Sequence, residues 1–438
     1  MEKTNTRLLS LDVFRGMTIA GMILVNNPGD WGNIYAPLKH AVWHGCTPTD
    51  WIFPFFLFIV GVSIAIALGR RKADVGGGSS IYGKIAYRTA VIFGLGLFLA
   101  AFPKFKFEGN EGLLRIHYVL LGIATIAVFL REVLNQRQFE QARHRNIRKW
   151  LGFAAIGAAL GMFVIGLGHY HLGTLRIPGV LQRIAVVYGI ASLLFVHFSP
   201  RAQTATAAIL LVGYWVLMTF VPVPGGIAPN LEPGTNLGAW LDRTVLGTDH
   251  LWSQSKTWDP EGILSTLPAI ATALIGVRSG AWLRSPRKME KKVPGLLVAG
   301  IILILAGQAW NLIFPINKSL WTSAFVLYTA GLAQIFLGLC YWLIDVQNWK
   351  KWAKPFEIFG VNALFAFVLS GILAKLMSAI KWQVDEERIQ TVRGWLYQTF
   401  FTPNFEPVNA SLAFALFHIA FIFLCAWALY RNKIFIKV

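Results

Sequence analysis

Long apolar runs recur along the whole chain and constrain its fold more than any other feature. Each run has about 18–22 residues, the length that an α-helix needs to cross a hydrocarbon core of about 30 Å. Of the 438 residues, 55% are hydrophobic and 14% are charged. The sequence therefore predicts an all-α, polytopic membrane protein. About twelve transmembrane helices are predicted, centred on residues 8–26, 51–69, 85–102, 113–130, 150–167, 179–197, 205–222, 263–283, 294–313, 320–343, 357–380 and 411–430.

The excess of basic residues has a topological explanation. The net charge is +19, from 40 Lys and Arg against 21 Asp and Glu. With the amino terminus inside, most of the Lys and Arg residues fall in inner segments, which include the run from Arg278 to Lys292. Cytoplasmic loops of membrane proteins carry such an excess. We therefore expect an inner (plasma) membrane protein with both termini in the cytoplasm and no nucleic acid partner.

The chain is interpreted as one transmembrane domain over residues 1–438. The hydrophilic stretch 223–262 is rich in Pro and Gly, so we expect a cap of turns rather than a helix on the outer side. Residues from about 104 to 170 are expected to add a helix pair to the bundle. The sequence has neither a metal-ligand spacing nor a phosphate-binding glycine loop, so we predict neither a metal nor nucleotide hydrolysis.

Two charged residues interrupt the first span. Charges are costly at membrane depth, so Asp12 and Arg15 indicate a buried functional site. The two side chains share one helix face, and an internal ion pair between them is one interpretation. The alternative is that Arg15 binds an anionic ligand that enters from the cytoplasm, because the guanidinium group suits phosphates.

The loop after the first span contains a candidate proton carrier. His40 is able to exchange a proton near neutral pH, and Asp50, ten residues further on, could orient the imidazole. Asn26, at the adjacent helix end, could donate to a developing oxyanion. Together these residues predict an acyl-transfer site on the outer, periplasmic side. A solvated loop histidine is the alternative interpretation, and His44 is a nearby competitor.

Further polar residues lie close to helix ends. Gln182 and Arg183 follow a proline-started helix entry, and a ligand contact and an internal salt bridge are both open for them. Asp259 and Glu261 precede the eighth span, where helix capping is one interpretation and binding of an amine or sugar hydroxyls is the other.

Two amide positions complete the set of candidates. Asn317 lies with Lys318 in an outer turn before the tenth span, and these residues either form the turn or contact an acceptor. Asn362 lies on the inner half of a glycine-flanked span and is a further candidate for ligand binding.

Several motifs occur in an order that resembles one family of transmembrane acyltransferases. They are Ser10 to Gly16, His40 to Asp50 followed by Phe53 to Phe56, Leu175 to Arg183, Leu246 to Leu251, Asp259 to Leu264, Pro315 to Trp321 and Lys433 to Phe435. This pattern covers most of the chain and resembles the heparan-α-glucosaminide N-acetyltransferase family.

The resemblance implies transfer of an acetyl group from cytoplasmic acetyl-CoA to the amine of a glucosamine-type sugar, or of a glycan end, across the membrane. By that likeness His40 is the catalytic histidine and Asn26 the active-site asparagine, and we add Asp50 to them. The remaining candidates are assigned to acetyl-CoA (Arg15, Arg183 and Asn362) and to the acceptor (Asp259, Glu261, Gln182, Asn317 and Lys318).

Two other classes of protein are compatible with polar residues inside many spans. An amino-sugar transporter would use them along a substrate pathway, and an inverted repeat between the two halves would favour it. We find only a local echo between segments, which weighs against this alternative. A membrane scaffold would leave Arg15, Arg183 and His40 without a role. A homodimer in the lipid bilayer stays open.

Overall fold

The computed structural model describes residues 8–73, 78–102, 111–134, 142–166, 172–385 and 389–436. These residues are mostly helical, with one short antiparallel pair of strands, β1 (Lys381–Gln383) and β2 (Ile389–Thr391). The α-helices are α1 (Leu9–Asn26), α2 (Ile52–Ala73), α3 (Gly78–Ala101), α4 (Glu111–Leu134), α5 (Ala142–Gly166), α6 (Val180–His197), α7 (Pro200–Phe220), α8 (Leu237–Leu246), α9 (Thr266–Arg284), α10 (Met289–Asn311), α11 (Ser323–Tyr341), α12 (Lys354–Val361), α13 (Ala363–Ala379), α14 (Val392–Leu396) and α15 (Pro407–Arg431).

Within the described ranges, ten helices are long and apolar enough to cross a membrane. Every predicted span has a helical counterpart, but two of them depart from a simple crossing. The apolar part of α4 is the shorter stretch Ile116–Arg131, and the predicted span 357–380 is broken into α12 and α13, which are bent by 71° at Asn362. The prediction of an all-α polytopic membrane protein is confirmed, and the described residues contain ten long apolar helices, or eleven spans when α12 and α13 are counted as one.

The helix pair expected at about 104–170 corresponds to α4 and α5, which pack against each other. Gly161 on α5 lies against the side chain of Leu120 on α4. Residues 103–110, 135–141 and 167–171 of this region lie outside the described residues.

Central helices approach one another closely through glycine. Gly61 on α2 lies against the backbone of α9, and Gly276 on α9 lies against the backbone of α2, so a Cβ atom at either position would clash. Gly16 on α1 and Gly360 on α12 meet the opposing backbone in the same way. In lipid, where helices gain little from hydrophobic association, such close contact lets van der Waals packing hold them together.

Loops that the charge pattern assigns to the outer side contact one another at one end of the bundle. Gly45, with φ of 105°, donates its N–H to Ile316 O at 2.8 Å, which joins the loop after α1 to the turn before α11. Trp43 Nε1 donates to Leu231 O at 3.0 Å, which joins the same loop to residues 223–262. We call this the His40 end of the bundle.

The stretch 223–262 contains a helix, so the expectation of turns alone is wrong. Its Pro- and Gly-rich part ends at Gly234, and α8 begins directly afterwards. Asn236 caps α8, because its side-chain oxygen accepts the N–H of Ala239 at 3.0 Å. An Asn at the N-cap satisfies one of the unpaired N–H groups that every helix start exposes.

The start of α1 and the last described residues lie together at the opposite end. Arg15 donates to Gly360 O at 3.3 Å. Asn362, two residues further, donates to Ile434 O at 3.0 Å and accepts from the N–H of Ile436 at 2.8 Å. The first and last described residues therefore lie near one another, and the cytoplasmic location of the termini stays a prediction.

Candidate functional site

His40 and Asp50 form a close pair at the His40 end. His40 Nδ1 lies 2.7 Å from Asp50 Oδ1. The Asp50 side chain is 1% exposed, whereas 45% of the His40 side chain is exposed. A carboxylate beside Nδ1 favours the tautomer that carries its proton there, and this leaves Nε2 as the basic atom of the ring.

The local sequence explains why Asp50 points at His40. Thr47 and Asp50 form a capping box around the helical turn Pro48–Trp51, with the Thr47 N–H donating to Asp50 Oδ2 at 3.0 Å. The Ala41 N–H donates to the same oxygen at 3.1 Å. The Thr-x-x-Asp spacing is the sequence signal for this arrangement. The carboxylate is therefore held by backbone donors before any ligand binds.

Lys318 is the third member of the cluster. Its Nζ lies 3.0 Å from His40 Nδ1, 3.4 Å from His40 Nε2 and 3.4 Å from Asp50 Oδ1. Burial lowers the pKa of Lys318, while the charge of Asp50 acts in the opposite direction. The acceptor assignment of Lys318 stays a prediction, but the structure brings this residue to His40.

Two neighbours of His40 have different surroundings. Asn317 Nδ2 donates to His44 Nδ1 at 3.3 Å, so His44 ties its loop to the turn before α11. Burial, followed by the charge of Asp50, raises the pKa of Cys46 to about 12. The Cys46 thiol is therefore protonated at neutral pH and is a poor nucleophile.

The asparagines at the end of α1 have unequal environments. Asn26 is exposed, and among the described residues no hydrogen bond joins it to His40. Asn27 is buried and donates to Ile23 O at 2.8 Å and to Ser370 Oγ at 3.3 Å. The role of Asn26 stays a prediction, and the polar anchor of this helix end is Asn27.

A cavity of about 530 Å³ lies along α2. Phe56 and Leu68 of α2 both line it, and the α-helical rise places them about 18 Å apart along the helix axis. Its charged lining residues are Arg15, Lys84 and Arg88. We call this space the α2 cavity. It combines apolar walls with a cluster of positive charge.

The environment of Arg15 is compatible with both interpretations from the sequence, an ion pair with Asp12 and contact with a ligand. Its Nη1 lies 3.0 Å from Asp12 Oδ1, so the internal ion pair is present. Its Nη2 donates to Ser63 Oγ at 3.0 Å, and both Arg15 and Ser63 line the α2 cavity. The ion pair therefore leaves Arg15 at the wall of a space large enough for a ligand.

Arg183 and Gln182 do not join Arg15 in the α2 cavity. Arg183 is buried near the His40 end, where it donates to Gly262 O at 3.0 Å and its guanidinium lies 5.2 Å from the centre of a Trp321 ring. Gln182 is buried against Gly96 of α3. Their ligand assignments stay predictions.

Asp259 and Glu261 are held by an arginine. Arg176 donates to both oxygens of Asp259 at 2.9 and 2.6 Å and to Glu261 Oε2 at 2.6 Å. Burial alone would lower the pKa of Arg176, but these two carboxylates outweigh it and the pKa is raised. Both acidic residues thus bond to Arg176. An acceptor that contacts either carboxylate would have to share it with Arg176.

Asn362 is engaged by the chain itself. Its side-chain amide makes both of its described hydrogen bonds with the backbone of residues 434 and 436. Ile436 and Gly360 line the α2 cavity, so Asn362 shapes the wall rather than presenting its amide to the space. Its assignment to the donor stays a prediction.

Sequence reasoning missed several residues of the α2 cavity. Lys84, Tyr87 and Arg88 lie three and four residues apart at the start of α3, which places them on one helix face. That spacing was the sequence signal that could have identified these cavity residues. The signal is weak by itself, because basic residues near the cytoplasmic end of a span are common.

The fold and the site define a polytopic membrane protein with a His–Asp–Lys cluster at one end and a basic cavity that lies along α2. In the described residues, no group of three or more His, Cys, Asp or Glu side chains could hold a metal ion.

Comparison with known proteins points to one family. The family model "Heparan-alpha-glucosaminide N-acetyltransferase, catalytic" matches residues 7–130. The heparan-alpha-glucosaminide N-acetyltransferases of Homo sapiens and Mus musculus are 24% and 25% identical to this chain over 99% of its length. The match spans 60% of the length of each relative. The resemblance inferred from the motifs is confirmed.

Proposed function

We propose that this chain is a membrane acetyltransferase that moves an acetyl group from cytoplasmic acetyl-CoA to the amine of a glucosamine-type sugar on the periplasmic side. One observation carries the proposal. The α2 cavity, with Arg15, Lys84 and Arg88 in its wall, runs along the same helix whose outer end follows the His40–Asp50 pair.

The α2 cavity has the properties of a donor site. Its volume of about 530 Å³ is within the range of small-molecule pockets, about 300–1,000 Å³. Arg and Lys side chains bind phosphate groups, so Lys84 and Arg88 are assigned to the phosphates of CoA. Apolar residues such as Phe56 and Ile59 line the part of the cavity that is nearest to the His40 end.

The remaining distance along α2 is short. Phe56 lies four residues after Ile52, the first residue of α2, which is about 6 Å at the rise of an α-helix, and Asp50 lies in the turn just before Ile52. A thioester that reaches the level of Phe56 therefore comes close to the cluster that contains His40. The acceptor approaches His40 from the other direction, because nearly half of that side chain is exposed.

The chemistry assigned to the cluster is acyl transfer. In the direct route, the amine forms a C–N bond with the acetyl carbon, His40 Nε2 accepts the proton of the attacking nitrogen, and the C–S bond breaks to release CoA. In the alternative route, Nε2 forms a bond with the acetyl carbon as the C–S bond breaks and CoA leaves as its thiolate. The amine then attacks the same carbon, the bond from Nε2 to that carbon breaks, and the freed Nε2 takes the proton of the amine. In both routes Asp50 stabilises the positive charge that develops on the imidazole.

The test uses purified protein with acetyl-CoA and glucosamine. Wild-type protein and His44→Ala are both expected to form N-acetylglucosamine. His44 is a matched control, because its ring bonds to Asn317 in the neighbouring turn and is assigned no proton transfer. His40→Ala should be slower by about 10²-fold or more, which is the usual contribution of an acid–base group. Unchanged acetylation by His40→Ala would overturn the assignment.

The bend between α12 and α13 favours a second candidate function. Broken membrane helices occur at the substrate sites of secondary transporters. An amino-sugar transporter would take up labelled glucosamine into proteoliposomes without acetyl-CoA. Uptake at equal rates by wild-type protein and His40→Ala, with no acetylated product, would favour transport over acetyl transfer.

A further inference from the structure

Lys318 contacts both members of the His40–Asp50 pair. Its Nζ lies within 3.4 Å of each imidazole nitrogen and of Asp50 Oδ1. A surface lysine would keep its ammonium group in water, but only 24% of the Lys318 side chain is exposed. Lys318 is therefore positioned over the pair rather than directed into solvent.

The turn that presents Lys318 is rigidly anchored. Asn317 is fully buried, and its side-chain oxygen accepts the N–H of Leu320 at 2.9 Å. Trp321 is 1% exposed, adopts a left-handed φ of 54°, and donates from Nε1 to Thr272 Oγ1 at 3.2 Å. These contacts fix the backbone on both sides of Lys318.

The charged groups around His40 come from a few elements. Asp50 and Lys318 contact its imidazole directly. Cys46 lies in the same loop, and its thiol is neutral because its pKa is raised to about 12. Glu261 acts on Lys318 from the segment that precedes α9 and is paired with Arg176 at 2.6 Å. His40 thus faces one negative and one positive group in contact.

These two contacts have opposite effects on His40. A carboxylate at 2.7 Å favours the imidazolium form, whereas an ammonium at 3.0 Å disfavours it. An imidazolium can neither take the proton of an amine nor accept an acetyl group. Asp50 without a counterweight would therefore shift His40 toward the imidazolium form, which is inactive in either route.

We propose that Lys318 is a positioning residue that balances the charge of Asp50 and so keeps the imidazole of His40 neutral. The catalytic consequence of this balance rests on the proposed function, but the balance itself does not. Lys318 thus acts through His40, and its ammonium group needs no contact with the acetyl donor.

The test measures the protonation of His40 without using activity. Of the two forms of a histidine ring, diethyl pyrocarbonate reacts with neutral imidazole and not with imidazolium, and mass spectrometry of the His40 peptide reports the extent of reaction at His40 at each pH. Lys318→Met and Lys318→Gln are expected to raise the pH midpoint of this reaction by about 1–2 units, the usual effect of a neighbouring charge. Lys318→Arg keeps the charge and should leave the midpoint near that of the wild type.

His250 serves as the internal reference, because its Nδ1 lies 2.7 Å from Leu175 O and it is not in contact with Lys318. Its midpoint should be equal in all variants. An unchanged His40 midpoint in both neutral variants would overturn the proposal, and so would an equal shift in Lys318→Arg. A lowered melting temperature without a shift would assign Lys318 a structural role only.

The activity profile then separates the two proposals. If wild-type protein acetylates glucosamine, the acidic limb of its pH–rate profile should move to higher pH in Lys318→Met. The size of that shift should equal the shift in the pH midpoint of the diethyl pyrocarbonate reaction at His40. If wild-type protein forms no product, the proposed function fails, while the shift at His40 still decides the role of Lys318.

Discussion

Asp50 Oδ1 lies 2.7 Å from His40 Nδ1, in a pair that the loop builds from its own backbone. The second oxygen of Asp50 accepts the N–H groups of Ala41 and Thr47 at 3.1 and 3.0 Å. The pair is therefore preformed. Preorganised charge of this kind is effective in catalysis because no reorganisation is needed when charge develops.

Asp50→Asn should lower acetyl transfer by about 10²-fold or more, with little change in the KM for either substrate. The amide keeps the shape of the carboxylate but loses the charge that stabilises imidazolium. The matched control is Asp30→Asn in the same loop, where the carboxylate accepts the N–H of Gly32 at 2.9 Å. Steady-state kinetics of both variants check the prediction, and equal rates for the two would contradict it.

Arg88→Gln should raise the KM for acetyl-CoA by about tenfold. This is the smallest effect expected when one charge-assisted hydrogen bond to a phosphate group is lost. The KM for glucosamine should not change, because Arg88 lines the α2 cavity and not the His40 end. Lys288→Gln is the control, since Lys288 is exposed before α10 and does not line the cavity. A rise in the glucosamine KM alone would place the donor elsewhere.

Asp242→Asn should change how stability depends on pH. Burial raises the pKa of Asp242 from 3.8 to about 6, with Asp259 adding to the rise and the Ile263 N–H and Arg183 opposing it. The folded state therefore binds the proton more tightly than the unfolded state does. The stabilisation is complete below about pH 4 and is lost as the pH rises through about 6.

The size of this effect is about 3 kcal/mol, from two pKa units at about 1.4 kcal/mol each. Melting temperatures in detergent between pH 4 and 8 provide the measurement. In Asp242→Asn this group no longer titrates, so its contribution to the melting temperature should not fall with pH. The melting temperature of the variant relative to that of the wild type should therefore rise as the pH increases. A constant difference across the range would contradict the assignment.

Gly360→Ala should disrupt the crossing of α1 and α12. A Cβ atom at Gly360 would lie 1.8 Å from Asp12 O, so the helices must separate, and overpacking of this kind costs about 1–3 kcal/mol. Gly213→Ala on α7 is the control, because a Cβ there meets no atom within 4 Å. Thermal unfolding should show a loss for Gly360→Ala and none for Gly213→Ala.

The helices were predictable because their signal is local. Apolar runs of membrane-spanning length show themselves in the sequence, and the structure has a helix at each predicted span. The break at Asn362 was not predicted, since nothing in the apolar pattern distinguishes a bent span from a straight one. At the break, Asn362 contacts residues 434 and 436, which are far away along the chain.

The site was predictable only in part, for the same reason. His40 and Asp50 are ten residues apart in one loop, and the structure places them in contact. The contact of Lys318 with His40 joins residues 278 positions apart, and it follows from the packing of two loops. The pairing of Arg176 with Asp259 likewise depends on the arrangement of α6 and α9.

The most direct measurement of the central claim uses sealed proteoliposomes of known orientation. Labelled acetyl-CoA is supplied only on the side of Arg15 and Lys84, and glucosamine only on the side of His40. The account predicts labelled N-acetylglucosamine on the His40 side, and none with His40→Ala. Product that forms only when both substrates are on the same side would contradict transfer across the membrane.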